Sequence, residues 1–103
     1  MTPQAVLIKA AALLESSPTA WTQRWLARNA EGNNTSPRNP NACSWCALGA
    51  IAKVQNLPDA PQEYNPAAML LAYHLKVNIV DWNDNPLRTR ADVIKGLREA
   101  AAA

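Results

Sequence analysis

Apolar and polar residues recur with a helical period from the start of the chain. Val6, Leu7, Ala10, Leu13 and Leu14 are spaced three and four apart, with Gln4, Lys9, Ala12 and Glu15 facing the other way, which predicts a helix over 3–15. Thr2-Pro3 supplies its start, a side-chain oxygen at the N-cap followed by a proline at the first helical position. Ser16-Ser17-Pro18 ends it, because proline disfavours helical geometry in the residue before it. Trp21 and Trp25 lie four apart with Leu26 beside them, and behind Thr19 as a cap they predict a second, shorter helix over 20–28. Residues 29–41 then carry hardly an apolar side chain and three turn formers, Gly32, Pro37 and Pro40, so they predict a long loop, with a short hairpin at Glu31-Gly32 left open.

Asn39-Pro40 repeats the cap-and-proline signal and predicts a third helix over 40–55, apolar almost all round and therefore central. Gly49 in its interior lowers helix propensity and points to another element packed closely against the backbone there. Asn65-Pro66 opens a fourth helix over 66–76, with Met69, Leu70, Tyr73 and Val77 expected inward. Residues 77–84 fit either a short strand or one helical turn capped by Asn78, and the turn is preferred because no partner strand is evident. Asn83-Asp84-Asn85-Pro86 is a dense turn signal. Thr89 and Asp92 form a capping-box pattern ahead of a fifth helix over 90–100, with Val93, Ile94 and Leu97 inward and a fraying alanine tail. The expected fold class is all-α: a compact bundle of about five short helices with irregular loops and at most a minor β-hairpin, forming a single domain over 1–103.

Composition narrows the chemistry. Ten Lys and Arg against eight Asp and Glu leave a net charge of +2, too weak to drive binding to a polyanion without a local basic face. No apolar run approaches the ~20 residues of a membrane helix, and the N-terminal apolar stretch, broken by Lys9 and without a basic leader, is a poor secretion signal. Two cysteines allow at most one disulfide, and a cytoplasmic location is the simplest expectation.

Three sets of residues could carry function. Cys43 and Cys46 form C-x-x-C at an expected helix start, where a thiolate can be stabilised for redox exchange. The strand that thioredoxin-like chemistry needs before it is not evident, and a zinc site would have to add His74, the single histidine, and a carboxylate. Arg24, Arg28, Arg38, Arg88, Arg90 and Arg98 could build a nucleic-acid face, but they form no run and no helix-turn-helix spacing. Residues 81–90 set Trp82 among two acids, two amides and two arginines, which suits a rigid polar surface around an indole. No glycine-rich phosphate loop, H-E-x-x-H or G-x-S-x-G is present, so no catalytic residue, metal or cofactor is assigned; a pocket joining Cys46, His74 and Asp84 would revive a reaction.

Several stretches resemble a family of small uncharacterised proteins of bacteria and their phages. They are Trp21-Thr22-Gln23, Ala27-Arg28-Asn29-Ala30-Glu31-Gly32, Trp45-Cys46-Ala47-Leu48-Gly49-Ala50, and Trp82-Asn83-Asp84 with Pro86, Arg88-Thr89, Asp92-Val93-Ile94 and Leu97-Arg98. Asn85 and Leu87 stand where the family pattern has a small residue and glycine, and Cys43 lies outside the pattern. The resemblance implies no activity. The expectation is therefore a non-enzymatic accessory protein that binds a protein partner, as in a phage-encoded inhibitor of a host defence system. Its expected partner-binding residues are Trp82, Asn83, Asp84, Arg88, Arg90 and Arg38. A nucleic-acid-binding helical protein and a thiol or zinc protein using Cys43 and Cys46 are the alternatives, and a homodimer is left open.

Overall fold

A computed structural model describes residues 1–62 and 64–103. Eight elements follow one another: α1 (Pro3–Glu15), β1 (Ala27–Asn29), β2 (Asn34–Thr35), β3 (Ala42–Trp45), α2 (Ala47–Val54), α3 (Pro66–Leu75), α4 (Ile79–Asp84) and α5 (Arg90–Ala102). Among the described residues the fold is mainly α-helical with five helices, the number expected from periodicity, and the minor hairpin left open there is part of a small three-stranded antiparallel sheet in the order β2-β1-β3.

All five helices begin on local side-chain caps, a thiol at Cys46 for α2 and an oxygen for the other four. Thr2, Asn65, Asn78 and Thr89 each accept a hydrogen bond from the backbone N–H three residues on, and Asp92 returns the bond to the Thr89 N–H to complete a capping box. α1 buries Val6, Leu7, Ala10, Ala11 and Leu14, largely against Val93, Ile94, Leu97 and Ala100 of α5. At the end of α1, Arg98 grips Glu15 with two bonds of 3.1 and 2.7 Å, and Arg90 Nη1 donates to the Leu14 carbonyl at 3.0 Å. α5 continues to Ala102, past the expected fraying point.

The helix expected over 20–28 does not form. Ala20 and Thr22 instead bracket Trp45 in a parallel bridge, with Trp45 N–H donating to the Ala20 carbonyl at 2.8 Å and Thr22 N–H to the Trp45 carbonyl at 3.1 Å. Arg24 has φ +75°, outside the right-handed helical region, and Ala27 enters β1. The helix expected over 40–55 is likewise cut short. Asn39 Oδ1 accepts from the Asn41 N–H at 2.8 Å, an Asx turn, and Ala42–Trp45 pairs with β1 before the helix begins at Ala47. The loop expected over 29–41 contains the open hairpin: Ala27 pairs with Thr35 and Arg28 with Asn34, around a turn where Asn29 Oδ1 accepts from Glu31 and Asn33 and Gly32 takes φ +81°.

α3 buries Ala67, Ala68 and Leu71, while Met69 and Tyr73, expected inward, are exposed, as is Val77 beyond its end. The segment Pro66–Leu75 is apolar on nearly every face, so period alone does not select one, and the small face allows the closer approach to α1 and α5. At Gly49 the inference of close packing holds: a Cβ there would overlap the Leu26 carbonyl. Among the described residues, no helix is long and apolar enough to cross a membrane.

Candidate functional site

Asn83 sits on the short helix α4 and is 1% exposed. A buried amide is stable only when its two donors and its acceptor are engaged. Here Oδ1 accepts from Trp21 Nε1 at 2.8 Å and from the Ala47 N–H at 3.0 Å, and Nδ2 donates to the Thr22 carbonyl at 3.2 Å and to Asp84 Oδ1 at 3.0 Å. One side chain thus joins three distant places: the segment after α1, the first turn of α2, and α4 itself. The Ala47 N–H is one of the donors that a helix start leaves unpaired, and Asn83 satisfies it from outside the helix.

Further bonds fasten residues 21–24 over this junction. Gln23 Nε2 donates to the carbonyls of Asn83 and Asn85 at 3.0 and 2.9 Å, and the Arg24 N–H donates to Asp84 Oδ1 at 2.9 Å. From the other side Arg28 Nε reaches Thr22 Oγ1 at 2.8 Å, while its two terminal nitrogens reach the carbonyls of Gly32 and Gln23. Arg88 lies over the Trp82 ring, 4.8 Å from its centroid, and donates from Nε to the Trp82 carbonyl at 2.8 Å. The far edge of that indole rests on Gly96, where a Cβ would come within 2.8 Å of the ring.

The six residues expected to bind a partner therefore separate. Trp82, Asn83, Asp84 and Arg88 come together, with Asn83 buried and Asp84 and Arg88 bonded to backbone. Arg90 is turned to α1, and Arg38 is exposed in the turn before β3 with no hydrogen bond or ion pair to the cluster among the described residues. Arg28 and Arg90, expected for a nucleic-acid face, have their guanidinium groups committed to carbonyls and a hydroxyl.

What the junction holds out to solvent is a different pair. Arg24 is exposed at its positive φ, and Trp25 beside it is 46% exposed. The four-residue spacing puts Trp25 on one helical face with Trp21, but no helix forms there and the left-handed backbone at Arg24 lies between the two indoles. Beside the tip lies a cleft of about 80 Å³, walled by Trp25, Leu26, Leu48, Ile79 and Val80, with Arg24, Cys46, Asn83 and Asp84 completing it. A shallow depression shares Leu48, Ile79 and Val80 with this cleft and runs on to Met69 and Ala72, and a flatter one continues from Met69 to Leu70, Tyr73 and Pro3. The result is a continuous apolar row, on which Met69 is 49% and Tyr73 84% exposed. Its sequence signal was the surplus of apolar residues in Pro66–Leu75 over what one packed face needs.

The two cysteines are free and face different surroundings, Cys43 exposed on β3 and Cys46 buried as the N-cap of α2. Cys46 Sγ accepts from the Gly49 N–H at 3.3 Å. Burial pushes its thiol up to about 11, and the nearby Asp84 charge adds to the rise, against the opposing pull of the Gly49 and Leu48 N–H groups. A thiol held protonated at neutral pH runs opposite to what redox exchange requires. The cleft brings Cys46 and Asp84 together without His74, which lies 3.8 Å from Glu99 on the α3–α5 side. Among the described residues, no three His, Cys, Asp or Glu side chains gather as a metal site.

The model of DUF6197, a family of unknown function, matches residues 1–103, and the chain belongs to that family. No curated protein and no solved structure matches the chain. The four stretches that carried the resemblance are the ones that meet here: 21–23 and 45–50 bond to Asn83, and Arg28 buttresses 22–23 from behind.

Proposed function

We propose that this member of a family of unknown function is a non-catalytic accessory protein that works by docking to a protein partner. Its contact face is the Arg24–Trp25 tip with the apolar row through Val80, Met69 and Tyr73, edged by Trp82, Asp84 and Arg88. The observation that carries the reading is the tip itself. A non-glycine residue at φ +75° persists only when its surroundings over-determine it, and here Gln23, Asn83 and Asp84 do so. The outcome of that bracing is an exposed tryptophan and an exposed arginine, the residue types that dominate binding hot spots, on a backbone already ordered before contact. Within this reading we place the protein as an inhibitor of a host system carried by a phage, which the genes beside its own would test: a phage neighbourhood supports the role and a housekeeping operon removes it.

The docking reading is tested by affinity capture from host lysate. Trp25→Ala and Val80→Lys, both at exposed positions, are expected to lose the captured partner while keeping the wild-type circular dichroism spectrum. Arg88→Ala is expected to weaken capture. Retention of every partner by folded Trp25→Ala and Val80→Lys proteins would remove the reading.

A further inference from the structure

We draw no further inference here: the strongest candidate, the uncharged apolar patch that Pro3 and Gln4 at the start of α1 form with Pro66, Met69, Leu70 and Tyr73 on the outer face of α3, belongs to the docking face already described, and nothing in the structure shows what covers it.

Discussion

A single amide holds the candidate site together because no other side chain offers an acceptor and two donors in so small a volume. Asn83→Ala would strand Trp21 Nε1, the Ala47 N–H and the Thr22 carbonyl. At about 1–3 kcal/mol for each buried group left unpaired, the variant should lose about 3–5 kcal/mol, much of the stability of a domain this small. A urea titration reads this directly, and an unchanged midpoint would contradict the junction. Cys46 makes a second prediction at the same scale. Its pKa is raised from 9.0 to about 11, so below pH 9 folded and unfolded chains both keep the proton. Between pH 9 and 11 the unfolded thiol ionises and the folded one does not, so stability falls as pH rises through that window. The decline in urea midpoint between pH 8 and about pH 10 should be shallower in Cys46→Ala, which lacks the group. In the native protein at pH 8 a thiol reagent should modify exposed Cys43 and spare Cys46.

At the scale of elements, what could be read from the sequence is what is decided locally. Thr2, Asn65, Asn78 and Thr89 each satisfy an N–H three residues away, so the cap and its helix lie in one short window. Removing such a cap has a defined effect: Thr89→Ala should lower stability by about 1 kcal/mol in thermal or urea unfolding. Asn39→Ala, at the same sequence signature, should leave helix content by circular dichroism unchanged, because Asn39 closes a turn and starts no helix. The segments misread as helix, 20–28 and 40–46, are those whose backbone partners lie far along the chain. Trp45 pairs with residues 20–22 on one side and Ala27 on the other, and strand formation follows from those partners more than from the residues themselves. The site divides in the same way. The Trp82–Arg88 cluster was visible as a dense turn signal, whereas the Arg24–Trp25 tip depends on a positive φ imposed by groups about sixty residues away, which no local pattern records.

The whole molecule is a helical core of α1, α2, α3 and α5 with a small sheet set against it, and its behaviour at this scale depends on how firmly the two are joined. Strands of three, two and four residues cannot stand alone, so the sheet borrows its stability. Three ties supply it: Ala27 and Trp45 reach into the core, the Leu26 backbone lies against Gly49, and Asn83 clamps residues 21–22 to α2 and α4. The first two are packing contacts spread over many atoms, while the third is one replaceable side chain. Asn83→Ser, milder than alanine in leaving a hydroxyl at the site, should therefore loosen the sheet ahead of the helices. In native-state hydrogen exchange, protection of the Thr22, Trp45 and Cys46 amides, whose acceptors are the Trp45, Ala20 and Leu26 carbonyls, should drop at least about tenfold beyond the loss seen in α1 and α5. Such a difference identifies the 20–46 region as a unit that opens by itself, with the docking tip at its edge. Equal loss everywhere would mean that sheet and helices open as one, and that the rigidity of the tip comes from packing against α2 and not from the amide of Asn83.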